Sequence, residues 1–253
     1  MNMPIKLKDY GKYWDNINKI PIHDVGHILR RKEISRHIPP NSKNILSIGS
    51  GYGEELLLFR KERADANIFC VDLSAKALEK CKALLSAKTF LSDAQNLHFK
   101  NNMFDCIVIL EVLEHLQDDQ KAVKEINRVL KSGGVVIASV PSPPFTDKDM
   151  KNGHLRVYGR DEFLNLFEKN GFEHKHDINY YDRLRFFYNP TKKIIRTLNS
   201  VQNKLFNQNK EYVEHWIYGK AIKPLFIFLA KLEEKKEPLR RKNIAVFEKA
   251  EKP

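Results

Sequence analysis

Cysteine and long apolar runs are scarce in this chain, and each scarcity excludes something. Three cysteines (Cys70, Cys81 and Cys106) stand among 253 residues. That is too few for a disulfide scaffold, and their spacing matches neither a zinc ribbon nor a zinc finger. Cys70 and Cys106 fall inside apolar runs, as reduced core thiols do. The longest apolar run, Leu225 to Ala230, is bracketed by Lys223-Pro224 and Lys231. A membrane-spanning helix needs about 20 apolar residues, so this segment cannot be one. Met1 to Asn16 has no apolar core, so no signal peptide is expected and a cytoplasmic location is the default.

What is present suits one large α/β domain with appendages. The chain is 42% hydrophobic and 10% aromatic, which excludes wholesale disorder. Its formal charge is +12, and the excess is unevenly placed. Residues 1–40 carry 8 basic and 4 acidic side chains, residues 41–189 carry 21 of each, and residues 190–253 carry 15 and 7. A neutral centre is flanked by two basic ends.

Between Asn44 and Phe172 two patterns alternate. Short runs rich in β-branched residues (Asn44–Ile48, Ile68–Val71, Cys106–Leu110, Val135–Val140) predict buried parallel strands. Helical stretches separate them: Glu54–Lys61, Ala75–Leu85 with Ser74 as N-cap, and Gln120–Leu130 ending at Ser132-Gly133-Gly134. Such alternation predicts a doubly wound α/β sheet. A further helix over Arg160–Asn170 leads to a strand near Phe172–Tyr180, and Asn243–Phe247 reads as one more strand. The expected organisation is a helical cap over 1–40, a core over 41–182, a basic helical insertion over 183–240, and a last strand with a tail over 241–253.

The strongest local signal is Ile45-Leu46-Ser47-Ile48-Gly49-Ser50-Gly51-Tyr52-Gly53-Glu54, a buried strand turning through spaced glycines directly into a helix. Glycines belong where a chain turns sharply and a ligand lies against its backbone. The dinucleotide fingerprint's later glycine is absent, and so is the Gly-Lys-Ser/Thr of a phosphate loop. Asp72 closes the second strand, roughly 20 residues on, where a carboxylate meets ribose hydroxyls. Ser92-Asp93-Ala94 follows the third strand, placed to read an adenine edge. Phe104-Asp105 opens the next strand and Glu111 ends it.

These residues, with Leu113-Glu114-His115 and Arg128-Val129-Leu130-Lys131-Ser132-Gly133-Gly134, resemble the class I S-adenosylmethionine-dependent methyltransferases. The likeness is to the branch containing ubiquinone and menaquinone biosynthesis methyltransferases, and covers about residues 41–175. It implies a Rossmann-like, seven-stranded, mostly parallel sheet with an antiparallel last strand. It also implies S-adenosylmethionine as cofactor and S-adenosylhomocysteine as product. By the resemblance, Gly49, Ser50, Gly51 and Gly53 wrap the methionine part, Asp72 holds the ribose, and Leu73 packs on the adenine. Asp93 and Ala94 read the adenine edge, and Glu111 and Val112 line the methyl-transfer side. The chain departs from the family at Ser47, where an acidic residue is usual.

Glu111, Glu114 and His115 stand at i, i+3 and i+4, one helical face, so two carboxylates and an imidazole are placed to act as a base pair or, with His154, to meet a divalent metal. The reading favoured here needs no metal: for an O-linked acceptor His115 or His154 is the base, oriented by Glu114. Two alternatives stay open, a metal-dependent RNA 2′-O-methyltransferase and a non-catalytic cofactor-binding protein. Tyr10, Tyr13 and Trp14, with His23 and His27, suit either a lid or a packed helix. Leu225, Phe228, Leu229 and Leu232, flanked by lysines, suit an anionic membrane surface holding a lipid-linked acceptor, or burial. A small-molecule or lipid-linked acceptor therefore ranks ahead of RNA.

Overall fold

The computed structural model describes Arg31, residues 34–177 and residues 243–250. The expected cap aromatics and the basic insertion lie outside the described residues. Seven strands form one sheet: β1 (Asn44–Ile48), β2 (Asn67–Asp72), β3 (Lys88–Leu91), β4 (Phe104–Leu110), β5 (Leu130–Val140), β6 (Phe172–Asp177) and β7 (Asn243–Lys249). Their order is β3-β2-β1-β4-β5-β7-β6. The β1–β2, β1–β4, β2–β3 and β4–β5 pairings are parallel, and β7 runs antiparallel to both neighbours. This is the doubly wound, Rossmann-like sheet expected, with its antiparallel last strand.

The helices are α1 (Leu57–Glu62), α2 (Ala75–Leu85), α3 (Asp119–Val129), α4 (Asp147–Asn152) and α5 (Arg160–Glu168). Their starts follow capping chemistry. Ser74 accepts from the Ala77 amide and Asp118 from the Lys121 amide. Thr146 and Asp149 form a capping box at α4. Core packing lies on both faces of the sheet. One cluster joins Leu46, Ile107 and Val136 to α3 and α5, and the other joins Ile45, Ile68 and Cys106 to Leu78 and Cys81 of α2. All three cysteines are buried free thiols, as expected.

Two boundaries differ from the sequence reading. The segment after β1 opens as a 3-10 turn, Glu54–Leu56, before α1 begins. The third helix ends within one residue of the expected Leu130, but the strand after it begins well before the expected Val135. The helix stops at Val129, and β5 starts at once because buried Leu130 pairs with Phe104. The register then slips to Cys106 against Val135, and residues 131–134 form the irregularity, with Gly133 at φ +68°.

Polar clamps tie the ends of these elements. Arg128 near the end of α3 donates to the Leu97 and Phe99 carbonyls and to the Asn101 side chain, and pairs with Glu125 at 2.7 Å. It therefore fixes the whole connection from β3 to β4. The Arg128 guanidinium in turn holds the Glu125 carboxyl below its usual pKa. Lys249 of β7 donates to the Asn127 and Leu130 carbonyls at 2.8 and 2.7 Å, a cation at the carbonyl end of α3. Arg128→Ala is expected to cost about 2–3 kcal/mol, because several carbonyls lose a charged donor together. A urea midpoint indistinguishable from that of the unaltered protein would contradict this. Among the described residues, no helix is long and apolar enough to cross a membrane.

Candidate active site

In open parallel sheets ligands bind beyond the carboxyl ends of the strands, where the strand order reverses. Here that reversal falls between β1 and β4, since β1 pairs with β2 on one side and β4 on the other. The turns after β1, β2, β3 and β4 carry ten predicted cofactor residues. The structure brings them to one edge.

The glycine turn is sterically committed. Gly49, Gly51 and Gly53 have φ of +63°, +51° and +78°. A Cβ on Gly49 would lie 2.3 Å from Cγ2 of Val112, and one on Gly53 would meet the Cys81 sulfur and Leu85 at 2.7 Å. The turn is also pinned electrostatically. Asp72 Oδ2 accepts from the Gly51 amide and Oδ1 from the Ser74 amide, each at 2.9 Å. The Ser50 amide donates to the Val71 carbonyl at 3.0 Å. Burial pushes the Asp72 carboxyl up, while the amides of Gly51, Ser74 and Leu73 oppose the rise. Each carboxylate oxygen keeps a second lone-pair direction, so Asp72 can hold the turn and still accept ribose hydroxyls.

Leu73, next along, is 46% exposed, an apolar side chain standing at the crevice edge. Asp93 closes a local turn, its Oδ1 accepting from the Gln95 amide at 2.8 Å and both oxygens from the Gln95 side chain. Ala94 is buried beneath it. Glu111 departs from the expected helix. Its φ is +55°, its amide donates to the Ser139 carbonyl, and its Oε1 accepts from the Ser139 hydroxyl at 2.9 Å. The common face of Glu111, Glu114 and His115 expected from their spacing therefore does not form. Only the last two lie in the 3-10 turn Leu113–His115. Asp105 falls where the sequence reading put it. It sits at the opening of β4, accepts from the Lys43 and Asn44 amides, and pairs with Lys131. That is the edge away from the crevice.

A second group forms beside the first. Glu114 has no solvent exposure, and its Oε1 lies 4.0 Å from Nε2 of both His115 and His154. The two rings meet edge to face at 4.8 Å. Nδ1 of His115 is 3.0 Å from the Gly153 carbonyl and Nδ1 of His154 is 3.3 Å from Asp149 Oδ1. Gly153 and Asp149 therefore contact the ring nitrogens more closely than Glu114 does. Asp149 is itself fixed by Thr146 at the start of α4. Tyr158, 1% exposed, braces the turn from behind, its hydroxyl donating to the Leu113 carbonyl or to Asp119. Sequence reasoning passed over Asp149, Gly153, Ser139 and Tyr158. The Thr146-x-x-Asp149 capping pattern was the available signal for the first.

The strand order, the glycine turn and the Asp72 lock match those of class I S-adenosylmethionine-dependent methyltransferases, a family whose cofactor is S-adenosylmethionine. The methyltransferase domain family matches residues 46–138. The chain is 26% identical over 136 residues to a demethylmenaquinone methyltransferase of Thermotoga maritima, covering 53% of this chain and 59% of that one. It is 26% identical over 137 residues to a ubiquinone/menaquinone biosynthesis C-methyltransferase of Desulfotalea psychrophila, covering 53% and 55%. The chain thus spans a little over half the length of these curated relatives. A Haloferax volcanii methyltransferase, solved in complex with a methyltransferase activator, superposes with a TM-score of 0.59 at 16% identity, over 68% of this chain and 78% of that one. At that identity the structural likeness shows the fold alone. The relatives to which the domain is similar thus include ubiquinone and menaquinone biosynthesis methyltransferases.

Proposed function

We propose that the protein transfers a methyl group from S-adenosylmethionine to a hydroxyl of a small-molecule or lipid-linked acceptor. The observation that supports this most is the Gly49–Asp72 arrangement, a left-handed glycine turn locked to a buried carboxylate at the topological switch point. When bound, S-adenosylmethionine supplies an electrophilic methyl carbon whose bond to sulfur breaks with the electron pair left on sulfur.

The chain's own residues do the rest. Gly49, Ser50, Gly51 and Gly53 present backbone to the methionine part, Asp72 accepts from the ribose, Leu73 covers the adenine, and Asp93 with Ala94 meets its edge. Glu111 and Val112 wall the side from which the acceptor approaches. Catalysis then consists mainly of orienting the acceptor and excluding water. The acceptor's proton passes to an imidazole. A ring Nδ1 that donates to the Gly153 carbonyl leaves the neutral His115 ring with a bare Nε2, able to accept. Asp149 lies beside the His154 ring as a charge partner at 3.3 Å, and Glu114 supports the charge that develops on either ring.

The test is calorimetric titration with S-adenosylmethionine and S-adenosylhomocysteine, followed by a screen of hydroxylated and quinol acceptors. Micromolar binding of both ligands, with methyl transfer to an acceptor oxygen, is the expected result. Methyl transfer to a carbon, as the name of the Desulfotalea C-methyltransferase describes for that protein, would overturn the hydroxyl assignment alone. Absence of heat with either ligand would overturn the reading as a whole.

A further inference from the structure

We propose that Cys70 and Cys81 form a thiol–disulfide couple beneath the glycine turn, which receives S-adenosylmethionine when they are thiols and loses affinity for it when they are joined. The two come from different elements, Cys70 from β2 and Cys81 from α2, and their sulfurs lie 2.9 Å apart. A disulfide bond is about 2.05 Å long, so the sulfurs must close by less than about 1 Å. Cys106 is no rival partner for Cys70. With β1 between β2 and β4, it stands about 10 Å across the sheet, beyond disulfide reach.

The pair is placed to act on the turn. Strand period puts Cys70 on the same face of β2 as Asp72, whose carboxylate holds the Gly51 amide. From the helix side the Cys81 sulfur packs on Gly53, where an added Cβ would lie 2.7 Å from it. The Ser50 hydroxyl is near enough to both sulfurs to favour their thiolates. Joining the sulfurs draws Cys81 toward β2 and withdraws the surface on which Gly53 rests. Glycine has no side chain to fill the gap, so the backbone of the turn must shift.

The chemistry assigns the two sulfurs different parts. Hydrogen bonding with Cys70 holds the Cys81 thiol below its usual pKa, while the same contact and burial raise Cys70. Cys81 is therefore the nucleophile. Its thiolate attacks one oxygen of hydrogen peroxide, giving a sulfenic acid and a hydroxide that regains the thiol's proton. The Cys70 thiol then attacks that sulfur, and its proton leaves with the hydroxyl as a second water. Two thiols have lost two electrons and two protons, and the peroxide has gained them. Both sulfurs are fully buried, so the oxidant must be small and must enter as the turn opens locally.

The couple itself is independent of the methyltransferase reading, and its effect on the cofactor rests on that reading. The experiment treats the intact reduced chain with hydrogen peroxide, counts thiols after unfolding and maps the link by mass spectrometry. Thiols should fall from three to one per chain, with a Cys70–Cys81 bond that dithiothreitol reverses. Affinity for S-adenosylmethionine should drop about tenfold on oxidation and return on reduction. Linkage demands the converse: saturating S-adenosylmethionine should shift the equilibrium in a dithiothreitol redox buffer toward thiols by the same factor. Cys70→Ala should bind the cofactor near normally and show no reversible loss. The thiol count is read on the unaltered chain and needs no variant. Persistence of three thiols, or a link through Cys106, would overturn the proposal. A Cys70–Cys81 bond that leaves cofactor affinity unchanged would overturn the switch. The same bond in a chain that binds no cofactor in either state upholds the couple and sinks the methyltransferase reading.

Discussion

An Asp72→Ala protein is expected to lose S-adenosylmethionine binding by at least 100-fold. Two contributions combine. In the proposed role the carboxylate accepts from the ribose hydroxyls, and hydrogen bonds to a charged group are worth about 1.5–3 kcal/mol each, with a decade of affinity per 1.4 kcal/mol. It is also the acceptor of the Gly51 and Ser74 amides. Without it the glycine turn loses the bond that sets its distance from β2. Asp72→Asn should fail as well, since one of the two amides would then face an –NH2 group rather than an oxygen. The ionised form is the one that accepts everywhere, and burial raises its pKa above 3.8. Cofactor affinity should accordingly fall on acidification sooner than for an ordinary carboxylate. The sign for folding is opposite: a raised acid favours the protonated native form, so the destabilisation due to this group is present above its folded pKa and relieved as pH falls through it. Calorimetry of the three proteins at neutral pH decides the matter. Retention of near-normal affinity in Asp72→Ala would remove Asp72 from the site.

The sheet was legible because burial on both faces makes parallel strands read as unbroken apolar runs, and β1, β2 and β4 fell where such runs lie. The glycine turn and Asp72 were legible for a related reason. Positive φ and close backbone approach admit little besides glycine, and a carboxylate at the end of the second strand, next to that turn, reaches the Gly51 and Ser74 amides. The bulge at residues 131–134 was hidden because Ser132-Gly133-Gly134 spells a helix stop equally well. The choice depended on Leu130 finding Phe104 across the sheet. Glu111 was misplaced for the same kind of reason. Its i, i+3, i+4 spacing to Glu114 and His115 presumes helix, but its backbone bond to Ser139 carries it into left-handed conformation first. Asp149 and His154, five residues apart, carry no periodic signature. Their meeting is made by a one-turn capping box and Gly153, whose φ of +78° turns the chain back.

Gly49→Ala is the second large effect expected. The residue sits at φ +63°, where an L side chain costs about 1–2 kcal/mol. The new Cβ would also lie 2.3 Å from Cγ2 of Val112. Val112 cannot swing aside easily, because a β-branched side chain has few χ1 positions and this one packs against the main core cluster. The clash must be relieved by the backbone of the turn, the surface proposed to hold the cofactor. Loss of cofactor binding by 100-fold or more is expected, with destabilisation of about 2–4 kcal/mol. The two causes separate in a double-mutant cycle. Val112→Ala removes the offending methyl and leaves Cβ as the nearest atom at 3.5 Å, ordinary contact. Adding it to Gly49→Ala should therefore recover part of the lost stability, leaving a residue of about 1–2 kcal/mol from the left-handed backbone. Urea unfolding and cofactor titration of the two single variants and the double variant measure both parts. If the double variant is no better than the sum of its parents, the contact with Val112 does not set the position of the turn.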